Sequence, residues 1–320
     1  MIHSLCGGTG SGLSTNFQSI ISNDFQDKIT ANYCLIPSPS VSGNVLELYN
    51  FILSHHYISE SSILTVYFDN EALTDICFRS MNITKPTYSD LNSLISKSIS
   101  GITSSMRFPG MLNSDMRKLA TNLTPFYRMH YFVSSVAPLT PEGVKQTIPS
   151  ITTDLFNTKN ILVSCNCKKG IYLSASAIFR GRFSSREVEE QMNNIPSINS
   201  SYFCSWIPSN IQTVECNVPH PGCNISGTFI GNSTAVKEIF NRIDQNYSKM
   251  FDKGAYVQHY MKNDEFDLYV FDDCRYDIKD LSSQCELYET ADVDEDDSDV
   301  YEDVYDVDED NSEEEDIVEE

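Results

Sequence analysis

Apolar positions recur along this chain in two rhythms. Ile29–Ile36 and Ile63–Phe68 are short apolar-rich runs, which predict buried strands. Pro37 and Pro39 end the first, because proline restrains the backbone and removes a donor. A helix is predicted over roughly 10–22, directly after a glycine-rich stretch, with no strand before that stretch. A second helix is predicted over 43–56. In Thr87–Ser104 the rhythm becomes helical: Leu91, Leu94, Ile95, Ile99 and Ile102 form one face, and Thr87 with Asp90 reads as a capping box. Tyr88 and Asn92 lie four apart, so they share a face. Further helices are predicted near 115–122, 184–194, 234–251 and 266–288, and strands at 128–136, 172–180, 211–216 and 225–230. Strand–helix alternation followed by mixed elements predicts an α/β fold.

Charge divides the chain unevenly. The 320 residues carry a net charge of −23. Residues 291–320 hold 18 Asp and Glu and no Lys or Arg, which leaves 27 acids against 22 bases elsewhere. Such a tail is expected to stay solvated and disordered, either as a solubility tail or as a docking strip for basic partners. Nothing supplies the basic stripe that nucleic acid requires. At 40% hydrophobic residues the body can bury a core, yet no run approaches the ~18 apolar residues of a membrane span. The first residues lack the basic region and apolar core of a signal peptide, so a cytoplasmic chain with ten reduced cysteines is expected.

The glycine stretch Cys6-Gly7-Gly8-Thr9-Gly10-Ser11-Gly12 running into a helix is a candidate phosphate cradle. Backbone N–H groups can approach anionic oxygens there, and the helix terminus adds positive potential. It is neither a P-loop nor a dinucleotide fingerprint, and a plain turn is the alternative. Tyr88 offers a ring face for a purine. Asn70 and Asn92 each carry a donor and an acceptor for a base edge, although both could be ordinary helix caps. Cys165-x-Cys167 and Cys216-x3-His220-x2-Cys223 lack the paired spacing of a structural zinc site, so no metal site is expected. His55-His56 reads as a polar surface pair at a helix end. No nucleophile–base–acid series stands out.

Several segments resemble the tubulin family. They are Cys6–Gly12, Phe68-Asp69-Asn70-Glu71-Ala72-Leu73, Pro86–Asn92, Arg107-Phe108-Pro109-Gly110, Leu112–Leu119, Phe179-Arg180-Gly181-Arg182, Asn199–Phe203, Phe229–Thr234 and the acidic tail. They occur in family order. Within the family the resemblance is to the β subunit. Lys118 stands where the α subunit has its catalytic glutamate, and the connection at 217–224 is short.

The resemblance implies a tubulin-like architecture. Its parts are an incomplete Rossmann-type GTP-binding region over 1–86, a central helix over 87–104, an α+β intermediate domain over 105–232, C-terminal helices over 233–289 and a disordered acidic tail over 290–320. It assigns the phosphates of GTP or GDP to Ser4, Gly7, Gly8, Thr9 and Gly10, the ribose to Glu47, the guanine to Asn70 and Asn92, and base stacking to Tyr88. It implies a structural constituent of microtubules in the cytoplasm, pairing with α-tubulin and other tubulin subunits, with microtubule-associated proteins on the tail. Lys118 implies a chain that does not activate its neighbour's nucleotide, and no catalytic residue is assigned.

Four departures accompany the resemblance. The family's first strands, its first phosphate loop and its Mg²⁺-side acidic residue have no counterpart here, so the isolated chain is expected to bind GTP poorly, and a truncated non-polymerising paralogue or fragment that no longer binds GTP productively is the alternative expectation. Cys6 replaces a glycine. Gly43 replaces an aspartate. Thr140–Ser150 is shorter than the family's lateral-contact loop.

Overall fold

The computed structural model describes residues 1–38, 44–110, 112, 115–139, 146–198, 202–207, 210–262 and 267–291. The chain divides into two units, Met1–Thr290 and Ala291–Glu320. The acidic tail beyond 291, Gly43, Asn113 and residues 140–145 lie outside the described residues, and with them the expectations placed there.

The first unit is built on one seven-stranded sheet, ordered β1-β2-β3-β4-β7-β5-β6. Its strands are β1 (Ile2–Ser4), β2 (Ala31–Leu35), β3 (Leu64–Phe68), β4 (Tyr131–Ala137), β5 (Tyr172–Gly181), β6 (Ile211–Cys216) and β7 (Ile225–Ser233). β1 to β4 run parallel, β7 is antiparallel to both β4 and β5, and β5 pairs in parallel with β6. This mixed, parallel-dominated α/β sheet is the predicted fold class.

Helices cover both faces, α5 (Ser104–Arg107) and α8 (Ser185–Ile198) among them, which is why the strands read as apolar runs rather than alternations. Leu64, Val66 and Phe68 of β3 point into one core with Leu91 and Leu94 of α4 (Tyr88–Ile102). Tyr67 points the other way, into a core shared with α2 (Glu47–Ser61), α9 (Lys237–Phe251) and α10 (Tyr269–Thr290). The Thr87–Asp90 capping box starts α4 as predicted.

Four readings need correction. β1 does precede the glycine loop. At three residues it is too short to show a period, and its parallel ladder to β2 forms it. The helix after the loop begins at Thr9 as a π-helical turn (Thr9–Leu13) before α1 (Ser14–Asp24). α3 (Asn70–Arg79) and α7 (Ile148–Leu155) carry no predicted helix, and the latter takes over the end of the segment read as a loop to Ser150. His55 is not at the surface. It lies inside α2, fully buried, and stacks on Tyr131 with ring centroids 5.1 Å apart. Only His56 faces outward, to Asp277 of α10. Among the described residues no helix is long and apolar enough to cross a membrane.

Candidate functional site: the glycine loop at the strand ends

Ser4, Leu35 and Phe68 sit in register across β1, β2 and β3. The glycine loop, the Pro37-Ser38 segment and the start of α3 therefore leave the sheet from one edge, at the carboxyl ends of parallel strands. That edge is where open α/β sheets bind ligands.

The loop is held in place from several sides. Ser4 accepts a hydrogen bond from the Cys6 N–H at 3.3 Å. Asn50 of α2 donates to the Cys6 carbonyl at 3.0 Å and accepts from the Tyr260 hydroxyl at 2.8 Å. The Cys6 side chain turns away toward the Leu35 carbonyl, so cysteine replaces glycine there without occupying the loop's outer face. Burial pushes its thiol up to about 12, with Ser4, Glu47 and Asp69 as smaller influences. Gly7, Gly8 and Thr9 are exposed. They enter a helix start, whose first N–H groups have no partner within the helix. Gly10 is required for a different reason: a Cβ there would lie 2.3 Å from the Ser4 carbonyl oxygen.

Glu47 and Asn70 open helices beside this edge, whereas Lys118 neighbours Arg117, which donates to the Asp27 carbonyl ahead of β2, toward the opposite ends of the strands. Glu47 opens α2, half-buried, and acts on Cys6 electrostatically. Asn70 is the first residue of α3, behind the N-cap Asp69. The buried Asp69 carboxylate accepts from the Glu71 N–H at 3.0 Å and from the Ser38 hydroxyl at 2.5 Å. Tyr88 is 78% exposed, which leaves its ring available. Asn92, one turn on, lines a shallow groove with Ile2 of β1. Lys118 is exposed in the first turn of α6 (Met116–Leu123), and its backbone N–H donates to the Asp115 carboxylate at 2.6 Å. That carboxylate is thus engaged as a helix cap.

Sequence reasoning missed three supports of this edge: His3, whose ring bonds the Gly10 carbonyl, Asn50, which bonds the Cys6 carbonyl, and Asp69, which holds Ser38 and caps α3. Only Asp69 carried a local signal, as an N-cap residue before a helix. Among the described residues no three His, Cys, Asp or Glu side chains converge.

Two family descriptions match this chain. The GTPase domain of the Tubulin/FtsZ family matches residues 1–78, and the tubulin C-terminal domain matches residues 127–245. Together they span more than half of the sequence, in family order. The chain belongs to the tubulin family. The GTPase-domain match contains Ser4, the glycine loop, Glu47 and Asn70, whereas Tyr88, Asn92 and Lys118 lie between the two matches. A GTPase domain implies guanine nucleotide binding. Gly7, Gly8 and Thr9 of the loop and the Tyr88 side chain are exposed.

Proposed function

We propose that this tubulin-family chain is a β-type cytoskeletal subunit that binds GTP or GDP at the glycine loop and pairs with an α-type subunit in microtubules. The observation that carries the reading is the common edge shared by the Gly7–Gly10 backbone and Asn70, with Tyr88 exposed on α4. In this reading Gly7, Gly8, Thr9 and Gly10 hold phosphate oxygens through N–H groups, Glu47 reaches the ribose, and Asn70 and Asn92 read guanine while Tyr88 stacks on it. Lys118 supplies no acid to a neighbour's nucleotide, as befits a β-type partner. The acidic tail recruits basic microtubule-associated proteins.

Titration of the purified chain with labelled GTP, and with ATP for comparison, tests this. Saturable binding that favours GTP at least about tenfold is expected, since amides placed for guanine leave polar groups unpaired with adenine. Absence of saturable GTP binding would overturn it.

A second reading, a subunit that binds tubulin partners without nucleotide, draws on the charges around the loop. The carboxylates of Glu47 and Asp69 act on Cys6. Arg242, which acts on Asp69, is engaged with the carbonyls of Ser164 and Pro37. Partner binding unchanged by nucleotide removal would favour this second reading.

A further inference from the structure

Cys165 and Cys167 lie in the turn before β5, with their sulfur atoms 3.7 Å apart. Among the described residues no third His, Cys, Asp or Glu side chain converges on this pair of thiols. Hydrogen bonds pin the turn. The Cys165 N–H donates to the Val163 carbonyl at 2.9 Å, and the Asn166 N–H donates to the Glu238 carboxylate at 2.9 Å. One helical turn further along α9, Arg242 donates to the Ser164 carbonyl at 3.3 Å. The two thiols are therefore held side by side from the same face of α9.

The two sulfurs are not equivalent. The hydrogen bond with Cys165 first, then Tyr172 and Ser233, bring the Cys167 thiol below its ordinary range against the effect of burial. Cys165 is pushed up by the same hydrogen bond and by burial. Cys167 also lines a cleft of about 400 Å³ together with Asn157, Lys168, Gln191, Tyr202 and Phe203. Cys167 borders that cleft while only 3% exposed, its partner Cys165 is partly exposed, and the thiolate is the form of cysteine that attacks.

We propose that Cys167 and Cys165 form a thiol–disulfide exchange site for low-molecular-weight disulfides that enter through this cleft. The Cys167 thiolate attacks one sulfur of the small disulfide, forms a mixed disulfide and releases one small thiolate. Cys165 then attacks the Cys167 sulfur, gives its proton to the departing small thiolate, and closes the Cys165–Cys167 bond. Two protein thiols are oxidised by two electrons, and one small disulfide is reduced to two thiols. Closing the bond, at ~2.05 Å, needs less than about 2 Å of approach. A ring closed over one intervening residue is tight, which favours a reducible and therefore reversible bond. The site is independent of the nucleotide reading.

The test is incubation of the full chain with mixtures of oxidised and reduced glutathione, followed by acid quenching, alkylation and peptide mass spectrometry. The peptide holding Cys165 and Cys167 should lose two hydrogens and take up no alkylating label. This should occur where modification of each of the other eight cysteines is at least about tenfold lower. In Cys165→Ser the reaction should stop at a glutathione adduct on Cys167. The wild-type measurement stands whether or not that variant folds. Adducts spread evenly over the ten cysteines, adducts on Cys165 with Cys167 untouched, or no internal disulfide at any ratio would each overturn the assignment.

Discussion

His3 donates from its Nδ1 to the carbonyl of Gly10 at 2.7 Å and so ties β1 to the π-helical turn of the glycine loop. A carbonyl only accepts, so Nδ1 carries the hydrogen. In the neutral ring Nε2 is then the acceptor, and the Cys34 thiol, 3.3 Å away, donates to it. Desolvation lowers the His3 pKa and keeps the ring in this neutral form. His3→Phe removes this hydrogen bond and should cost about 0.5–1.5 kcal/mol. It should also speed amide exchange over residues 10–15. His3→Asn, whose amide can replace Nδ1, should restore protection. Equal exchange in both variants would show that this bond does not hold the loop.

Gly10→Ala and its neighbours separate close packing from loop flexibility. The new methyl at position 10 meets backbone atoms of Ser4, which cannot rotate away. The expected loss is about 1–3 kcal/mol in urea unfolding. Gly7→Ala and Gly8→Ala meet nothing within 4 Å, and Gly8 already has right-handed helical torsions. They should stay within about 0.5 kcal/mol. If all three substitutions cost the same, the Ser4 contact is not the reason for glycine.

Acid should destabilise the fold through α2. Burial first, then His130, His56 and Arg128, push His55 down to about 3. Burial likewise pushes His130 down to about 4, with the Tyr127 carbonyl opposing and Arg128 assisting. Below about pH 6.5 the unfolded chain takes up protons that the folded chain refuses, so stability falls as pH falls, until about 3–4. Each group adds a slope of up to about 1.4 kcal/mol per pH unit in that window. His55→Phe keeps the stacking on Tyr131 and removes one titration. Its stability curve between pH 6.5 and 4 should be flatter than that of the wild type, and an unchanged slope would reject His55 as a source.

The same residues show what the sequence could disclose. Long periodic elements such as α4 and α9, and apolar strands such as β3, were legible because their neighbours reward the pattern on every turn. β1 was not, since three residues show no rhythm and only the ladder to β2 makes them a strand. α3 was missed although Ala72, Leu73, Ile76 and Cys77 are buried at helical spacing behind the Asp69 cap, because ten residues hold only this one short stripe. The burial of His55 was invisible for a related reason. A histidine pair within a helix looks polar until tertiary packing assigns one ring to the core and the other to Asp277. The glycine loop was legible through its composition, whereas its anchors His3 and Asn50 act from elements whose positions only the fold supplies.

The acidic C-terminus gives a salt-dependent expectation. Deleting residues 291–320 removes 18 carboxylates. Binding of a Lys-rich microtubule-associated fragment should weaken at 0.1 M salt, where the Debye length is ~10 Å. Wild type and deletion should converge near 1 M, where it is ~3 Å. Binding that is unchanged by deletion and insensitive to salt would place the docking surface elsewhere.

Tyr88 offers the cleanest separation of nucleotide binding from folding. Its side chain is 78% exposed on the first turn of α4, while the capping box that starts the helix belongs to Thr87 and Asp90. Tyr88→Ala should therefore change stability by no more than about 0.5 kcal/mol. A base stacked on an aromatic ring is worth about 1–3 kcal/mol, so GTP affinity should drop roughly tenfold. Tyr88→Phe keeps the ring and should stay within about twofold of wild type, because the stacking face rather than the hydroxyl makes the contact. Parallel urea unfolding and GTP titration of the two variants measure both quantities. Undiminished GTP affinity in Tyr88→Ala, with the fold intact, would remove Tyr88 from the site and leave guanine recognition to Asn70 and Asn92.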